Sequence, residues 1–263
     1  MFIIIHTMTK NFPGVTLLVT HYNRSSSLER LLRSFQTQDC IFEDIVVSDD
    51  GSSAEHQEYL DKLKSEFSFR LITTPVNRGL GNNLNKGQDA VLTPFTLYVQ
   101  EDFVPTEIFP VHFKDALEII MERNDIDIIR FYAYSAYPYL KNFKKGYSEM
   151  IIKPWYTDYG KIYYYSDHPH LRRSNFFKKV GRYAEGIKGD RTEYRMCISF
   201  IQNKGKGLFF NAFKTLFTQE NSESEPSTMS RKSWTTSKNP LIFAIRYAYR
   251  QVRYNFDLLF AKY

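Results

Sequence analysis

The sequence predicts an α/β fold in which a mostly parallel, Rossmann-like sheet is flanked by helices. Short runs of β-branched and other apolar residues at 15–20, 45–47, 69–73 and 96–100 are typical of buried strands. The segments between them carry apolar residues at helical spacing, and serine, glycine and asparagine lie where strand must turn into helix. Strands that alternate with helices form parallel, doubly wound sheets. With 263 residues, 43% of them hydrophobic, the chain is large enough for such a core.

Each predicted helix has a sequence signal of its own. The first two helices show apolar residues on one face, and these are Leu28, Leu31, Leu32 and Phe35, then Tyr59, Leu60 and Leu63. Ser52 and Glu55 predict a capping box at the start of the second helix. A third helix follows the Gly/Asn-rich segment 77–87. A helix at 108–124 and a strand at 126–132 complete the regular part.

The rest of the chain is predicted to be less regular. Residues 133–190 read as aromatic-rich, irregular insertions in the main domain. Residues 219–240 are rich in Ser and Thr and have no apolar periodicity, which is typical of a loop or linker. Residues 241–263 have the pattern of a basic amphipathic helix. We therefore divide the chain into a domain at 1–218, a mobile loop or linker at 219–240 and a helical tail at 241–263.

Charge and cysteine content limit the partners and the compartment. The formal net charge of +6 suits nucleic acid, an anionic membrane surface or a phosphate-rich ligand. Carboxylates that follow the strands would repel phosphate unless a metal were present, so nucleic acid is not the expected partner. Cys40 and Cys197 match neither a metal-ligand spacing nor a disulfide framework, so we expect reduced thiols in the cytoplasm. No apolar run reaches the ~18 residues of a membrane span.

Two carboxylates follow the second predicted strand. Asp49 and Asp50 precede Gly51, at the edge where the carboxyl ends of parallel strands bind ligands. A carboxylate there can accept hydrogen bonds from a base N–H or from ribose hydroxyls, and an ordinary Asp-Gly turn is the alternative. A phosphatase of the haloacid dehalogenase type is excluded, because Ser48 stands where its aspartate nucleophile would be.

A second acidic pair, Glu101 and Asp102, follows the fourth predicted strand. Hard oxygen ligands at a strand end suit Mn²⁺ or Mg²⁺ bridging a diphosphate, because such an ion takes only one or two protein carboxylates. The ion would neutralise charge on a departing nucleoside diphosphate. The alternative is a pair of solvated loop carboxylates.

Together these motifs resemble the nucleotide-binding half of family 2 glycosyltransferases, which have the GT-A fold. The resemblance rests on residues 20–24, 49–52, 77–79, 85–87 and 101–102. It implies that 1–218 is a catalytic domain that takes a sugar from a nucleotide-sugar donor. Residues 15–105 would then be the nucleotide-sugar-binding half, and 106–218 the acceptor-side half.

The resemblance also implies roles for individual residues. Those implied for nucleotide binding are Thr20, Tyr22, Asn23, Asp49, Asp50, Arg78 and Glu101. Asp102 is implied as the direct ligand of Mn²⁺ or Mg²⁺, as the last acidic position of the family's Asp-x-Asp motif, with Glu101 supporting the ribose or the metal. Gln100 departs from that motif, because the family often has aspartate there.

An inverting transferase needs a carboxylate that removes the proton of the acceptor hydroxyl as the hydroxyl attacks. Thr192-Glu193 resembles the start of the family's Glu-Asp-containing acceptor-site helix. Glu193 is therefore the first candidate for the base, and Asp190 is the second. A capped and charged helix start is the alternative interpretation.

Aromatic residues are concentrated in the acceptor-side half, where ten of the nineteen tyrosines fall within 132–165. Flat rings stack on the apolar faces of sugars, although rings also serve core packing. The candidates for acceptor contact are Trp155, Tyr156 and Tyr159. His168 and His170 have no third ligand nearby in sequence, so surface or acceptor-site roles are expected rather than a zinc site.

The predicted function is transfer of a hexose, expected to come from a UDP-sugar, to a hydroxyl of a glycan or lipid-linked acceptor in bacterial surface-polysaccharide assembly. One alternative is a nucleotidyltransferase of nucleotide-sugar synthesis, but residues 20–24 do not supply its Gly-rich phosphate loop. Another is a noncatalytic nucleotide-sugar-binding module, which is favoured if Glu193 and Asp190 lie far from the metal.

The last part of the chain leaves two pairs of alternatives. Residues 219–240 form either a lid over the donor, with Arg231, Lys232 and Trp234 as contacts, or a plain tether. The tail at 241–263 carries an apolar stripe beside Arg246, Arg250 and Arg253. It is expected to lie on the anionic inner face of the plasma membrane, or else to pack on the domain or in a homodimer.

Overall fold

The computed structural model describes residues 10–153, 155–221, 225 and 239–263. In these residues the α-helices are α1 (Ser25–Thr37), α2 (Ala54–Phe67), α3 (Leu80–Asp89), α4 (Phe109–Glu122), α5 (Phe176–Val180), α6 (Gly189–Gln202) and α7 (Pro240–Phe260). The strands are β1 (Lys10–His21), β2 (Cys40–Asp49), β3 (Arg70–Ile72), β4 (Phe95–Gln100), β5 (Phe103–Pro105), β6 (Ile128–Arg130), β7 (Leu140–Asn142), β8 (Tyr147–Met150), β9 (His170–Arg173), β10 (Gly207–Phe210) and β11 (Phe217–Gln219). A 3₁₀ helix spans Tyr159–Tyr164.

The central sheet has the strand order β3-β2-β1-β4-β9-β6-β10-β8-β7. The first four strands are parallel, and β9 is antiparallel to both of its neighbours, β4 and β6. β6, β10 and β7 run in the same direction as the first four strands, and β8 runs in the opposite direction, as β9 does. Seven of the nine strands therefore run in one direction. The predicted mostly parallel α/β fold is therefore confirmed. Strands β5 and β11 form a separate two-stranded sheet.

The sheet is covered on both faces, because alternate side chains of each strand point to opposite sides. In β1, Leu17 and Val19 belong to the core under α1, α2 and α4, whereas Leu18 belongs to the core under α3 and α6. Burial on both faces explains why the ends of β1 and β2 and the whole of β4 read as continuous apolar runs rather than as alternating patterns. It also leaves the carboxyl ends of the strands as the place where polar side chains can gather.

The region 133–190, predicted as irregular, supplies β7, β8 and β9 to the central sheet. These strands have only three or four residues each. β9 lies between β4 and β6, where His170 is paired with both Tyr98 and Arg130. Strands this short have no readable period, so only their pairing with distant segments reveals them.

The predicted capping box of the second helix is wrong. Helix α2 begins at Ala54 after Ser53, which makes no side-chain capping bond. Ser52 instead donates its hydroxyl to Asp49 (2.5 Å) and accepts the amide of Asn23 (2.8 Å). The serine thus joins two strand-end loops, because a buried carboxylate competes successfully for its hydroxyl.

Candidate functional site

Three neighbouring parallel strands bring the predicted motifs to one edge of the sheet. The register of β1 sets Val19 opposite both Val47 of β2 and Val99 of β4. The residues that follow these three valines therefore meet at the carboxyl edge. There the buried Thr20 hydroxyl lies 3.0 Å from the hydroxyl of Tyr98.

Asp49 is a buried hydrogen-bond acceptor shared by several loops. His21 accepts the Arg24 amide at Nε2 (3.2 Å), which leaves the Nδ1 proton to be donated to Asp49 (2.8 Å). The amides of Gly51 and Ser52 and the side chain of Thr73 also donate to this carboxylate. Burial opposes the charged form, but hydrogen bonds from His21, Ser52 and Thr73 outweigh it and hold the pKa of Asp49 well below its usual range.

Asp50 fixes the loop that precedes α3. Its two carboxylate oxygens accept the backbone amides of Arg78 and Gly79, each at 2.8 Å. The turn requires Gly51, which has a φ of +70° and would place a Cβ 2.5 Å from the backbone carbon of Val76. Asn23 adds a contact between loops by accepting the amide of Ser53 (2.8 Å).

These contacts place the predicted nucleotide-binding residues in two layers. Asp49 and Asp50 are buried and bonded to protein donors, so they support the loops. Tyr22 and Asn23 are half-buried, and Arg78 reaches the rim with a side chain that is 57% exposed, 3.8 Å from the Glu185 carboxylate. Among these residues, the two aspartates are therefore the buried ones, and Arg78 is the most exposed.

The second acidic pair, of which Asp102 is buried and Glu101 partly buried, lies beside an arginine. Arg24 Nη1 lies 3.4 Å from Glu101 Oε1 and 3.6 Å from Asp102 Oδ2. Burial, and then the neighbouring Asp102 carboxylate, raise the pKa of Glu101 to about 8 in spite of this arginine. At neutral pH the Glu101 carboxyl is therefore mostly protonated while no cation other than Arg24 is bound beside it.

The acidic pair fits a divalent ion of the kind that takes few protein ligands. In the described part of the chain, no three His, Cys, Asp or Glu side chains are grouped to hold a metal by themselves. Glu101 and Asp102 offer hard oxygen donors beside the Arg24 guanidinium, and a diphosphate would complete the coordination. Asp102 Oδ2 now accepts the Gln219 amide (2.8 Å), which such an ion would have to displace or share.

The first residues of the predicted linker lie over this pair. Gln219 ends strand β11, and Arg24 donates to the Asn221 side chain (2.9 Å) and to the Glu225 carbonyl (3.2 Å). The Glu225 carboxylate accepts the amides of Ser26 and Ser27 at the start of α1, both at 2.9 Å. A carboxylate is favoured there because helix amino termini attract anions. Arg231, Lys232 and Trp234 lie outside the described residues.

Glu193 belongs to a second acidic cluster. Its Oε1 accepts the Ser166 hydroxyl (2.9 Å) and the Asp167 amide (3.0 Å). Asp167 Oδ1 accepts the hydroxyls of Tyr165 (3.0 Å) and Tyr183 (2.8 Å), while Oδ2 is buried without a hydrogen-bond partner among the described residues. Burial, and then Glu193, raise the pKa of Asp167 to about 7. The sequence patterns did not single out Asp167, although a carboxylate next to His168 could have marked it as a candidate site residue.

A continuous series of contacts joins the two acidic clusters. Ser166 lies 3.0 Å from His168 Nδ1, and the His168 ring packs 4.7 Å from that of Tyr134. Tyr134 donates to Gln219 (2.9 Å), which in turn donates to Asp102. Glu193 and Asp102 are thus linked through four intervening side chains, those of Ser166, His168, Tyr134 and Gln219. Asp190 does not join them, since it is exposed and, among the described residues, its side-chain hydrogen bond is from the adjacent Arg191 amide (2.9 Å).

The predicted acceptor aromatics have different surroundings from one another. Trp155 is 69% exposed, with the Lys153 ammonium 5.3 Å from its ring. Tyr156 stacks on Tyr139 at 3.9 Å. Tyr159 contacts the C-terminal helix, with Tyr254 at 5.7 Å. Of the three, only Trp155 presents a largely free ring.

The sequence also did not predict the contacts that His21, Arg24 and Glu225 make at this edge of the sheet. The polar segment at the end of β1 contained the first two, but their partners, Asp49 and the Glu101–Asp102 pair, lie far along the chain. Glu225 gave no signal because it lies in a polar segment without periodicity. Its contact with Ser26 joins residues 199 positions apart.

GT-A glycosyltransferases are built on a Rossmann-like sheet with acidic residues at strand ends such as those of β2 and β4. An acceptor-side half is added to this sheet. The sequence model of "Glycosyl transferase family 2" matches residues 16–181. The chain belongs to this family.

Among curated proteins, the chain is similar to poly-β-1,6-N-acetyl-D-glucosamine synthases. The Staphylococcus epidermidis protein is 26% identical over 99 residues, which are 38% of this chain and 24% of that protein. The enzyme of Staphylococcus aureus strain COL gives the same identity and coverage. The chain thus matches only about a quarter of the length of these relatives.

Solved structures share the fold at low sequence identity. Staphylococcus aureus TarS 1–349, in complex with UDP-GlcNAc, gives a TM-score of 0.58 at 18% identity, covering 82% of this chain and 62% of that one. The mannosyltransferase PcManGT from Pyrobaculum calidifontis, in complex with GDP-Man and Mn²⁺, gives 0.52 at 11% identity, covering 76% and 55%. Both comparisons support the GT-A fold.

Proposed function

We propose that the protein is an inverting glycosyltransferase that moves a hexose from a nucleotide-sugar, in the first instance a UDP-sugar, to a hydroxyl of a glycan or lipid-linked acceptor. The observation that supports this proposal is the series of contacts that links Asp102, at the proposed diphosphate site, to Glu193, the proposed base. The complex of TarS with UDP-GlcNAc supports the choice of UDP. Family membership supports the reaction class.

The donor site is proposed to lie over the ends of β1, β2 and β4. Tyr22, Asn23 and Arg78 contact the nucleotide, while Asp49 and Asp50 hold the loops that carry them. A Mn²⁺ or Mg²⁺ ion held by Asp102, with Glu101 beside it, would neutralise charge on the diphosphate. The Mn²⁺ in the mannosyltransferase complex supports this ion. Arg24 adds a fixed positive charge next to the same carboxylates.

The transfer step is proposed to use Glu193 as the base. Its carboxylate takes the proton of the acceptor hydroxyl, the hydroxyl oxygen forms a bond to the anomeric carbon, and the bond from that carbon to the diphosphate oxygen breaks. Attack from the side opposite the leaving group inverts the anomeric centre. Asp167 is the second candidate in place of the exposed Asp190, since its amide already bonds to Glu193.

The setting is proposed to be bacterial surface-polysaccharide assembly in the cytoplasm, at the inner face of the plasma membrane. The similarity to polysaccharide synthases supports that setting. None of the helices in the described residues is long and apolar enough to cross a bilayer. Contact with the membrane, if it is made through these helices, would therefore be peripheral.

The donor proposal can be tested by thermal unfolding with UDP, GDP, dTDP and CMP, each with and without Mn²⁺. We expect UDP with Mn²⁺ to raise the unfolding temperature most, because about a hundredfold excess over Kd adds about 2.7 kcal/mol of stability. Formation of pyrophosphate from a nucleoside triphosphate and a sugar phosphate would instead favour a nucleotidyltransferase. Donor binding without hydrolysis or transfer would favour a noncatalytic module.

Gln219, Asn221 and Glu225, at and after the end of β11, are proposed to cover the donor site. We expect UDP and Mn²⁺ to slow proteolysis within 222–238, because Gln219, Asn221 and Glu225 already bond to residues around the acidic pair. Glu225→Gln should speed cleavage in the absence of nucleotide, since its charge-assisted bonds to α1 are weakened. Glu122→Gln, on the exposed side of α4, is the matched control. Equal cleavage of the wild type with and without nucleotide would leave the segment as a tether.

A further inference from the structure

Helix α7 lies against the domain through its polar side. The Tyr254 ring packs 5.0 Å from that of Tyr194, and Asp257 accepts the Tyr194 hydroxyl (2.7 Å). Arg250 donates to the Tyr159 hydroxyl at 3.4 Å and lies over its ring. The packing therefore uses an arginine, an aspartate and tyrosines, and it fixes which side of the helix faces outward.

The side that faces outward is apolar. Leu241, Val252, Phe256 and Leu259 are 68%, 73%, 59% and 74% exposed, and with Ile245 they form one stripe at helical spacing. Ten of the twenty large apolar or aromatic residues exposed in the described part of the chain lie within Leu241–Tyr263. An exposed apolar surface concentrated in this way is typical of an interaction site rather than of ordinary surface.

The charge around this outer stripe is positive. Of the basic residues of the tail, Arg246 and Arg253 border the stripe, whereas Arg250 faces the domain; the one acidic residue among 241–263 is Asp257. Asp257 is turned toward the domain, where it bonds to Tyr194 and also lies 3.5 Å from Arg253. Arg246 and Arg253 are two helical turns apart, so they border the same margin of the stripe. The Arg253 side chain is 52% exposed.

We propose that the outer stripe of α7 binds the surface of an anionic lipid bilayer, with the helix lying in the plane of the interface. The apolar side chains would enter the boundary between headgroups and acyl chains, and the arginines would meet acidic headgroups. A second copy of the chain fits less well, because two such stripes would bring net positive margins together. Each arginine near acidic lipid strengthens partitioning by on the order of fivefold.

This surface extends the proposed function without depending on it. It would hold the strand-end site close to a lipid-linked acceptor, yet membrane binding can be measured with no donor or acceptor present. Failure of one proposal is therefore distinguishable from failure of the other.

The test is flotation of the full-length protein with vesicles of phosphatidylcholine alone or mixed with phosphatidylglycerol. We expect flotation with the mixed vesicles at low salt, and a loss of flotation at high salt or with neutral vesicles. Val252→Asp with Phe256→Asp should weaken binding by on the order of tenfold or more, because carboxylates would enter the apolar boundary and repel acidic lipid. Leu92→Asp, at an 83% exposed apolar position on the domain, is the matched control and should float like the wild type.

Arg253→Gln gives a second, milder variant, and a reduced dependence of its flotation on salt would support the electrostatic part. The unfolding temperature of each variant, measured without nucleotide, reports that the domain is folded. The proposal is overturned if the wild type stays unbound to mixed vesicles, or if the double aspartate variant floats equally well. It is also overturned if sedimentation shows a dimer that the double substitution dissociates while flotation is absent, since the stripe would then join two copies.

Discussion

Replacing Asp102 by asparagine is expected to lower metal-dependent sugar transfer by about a hundredfold or more. The side chain keeps its size and still accepts the Gln219 amide, but it loses the negative charge that a divalent ion requires. Arg24 would then face Glu101 with one carboxylate fewer to balance it. Initial rates at a series of Mn²⁺ concentrations measure the effect, and the apparent affinity for the ion should fall together with the rate.

The control for this experiment is Asp61→Asn, a substitution of the same kind on the exposed side of α2. It should leave both the rate and the dependence on Mn²⁺ unchanged. Full activity of Asp102→Asn in the presence of a chelator would mean that the reaction does not use a metal at this carboxylate. Arg24 would then be the remaining positive charge beside the acidic pair.

Replacing Glu193 by glutamine is expected to abolish most transfer while donor binding stays close to that of the wild type. Removing a general base costs about a hundredfold to ten-thousandfold in rate. Glutamine retains an oxygen that can accept the bonds from Ser166 and the Asp167 amide, so the local structure should persist. Donor affinity from nucleotide titrations, set against the rate of transfer, separates the two effects. A parallel loss of nucleotide affinity would assign Glu193 a structural role.

The comparison variant is Asp167→Asn, which tests whether the neighbouring carboxyl takes part. Burial raises the pKa of Asp167 to about 7, so its ionisation falls within the range of pH used for assays. We expect the transfer rate of the wild type to change with pH around that value. The rate of the asparagine variant should not show this change. If Asp167→Asn abolishes transfer while Glu193→Gln does not, Asp167 is the base and Glu193 positions it.

Stability gives a second measure of Asp167 that is independent of catalysis. Its folded pKa lies above the unfolded value near 3.8, so the folded state binds more protons than the unfolded state between about pH 4 and pH 7. This group therefore makes the protein less stable as pH rises through that window. Asp167→Asn should reduce the fall in the free energy of unfolding between about pH 4 and pH 7, measured by unfolding experiments at a series of pH values.

The first half of the fold could be predicted from the sequence because its signals are local. The apolar runs of β1, β2 and β4 and the one-sided helices between them follow from spacings of two to four residues. Since those strands are parallel, the motifs after them had to meet at one edge, as Thr20, Asp49 and Glu101 do. The amphipathic tail was equally readable, because its pattern is a property of one helix.

The sequence by itself thus determined the α/β class, the edge at which the acidic motifs gather and the family to which they point. Only the tertiary structure decided that β9 lies between β4 and β6, that Asp167 contacts Glu193, that Glu225 reaches α1, and that α7 turns its apolar stripe outward. Local propensity depends on neighbours within a turn or two. Each of these features instead depends on which distant segments pack together, and that is determined by the packing of the whole chain.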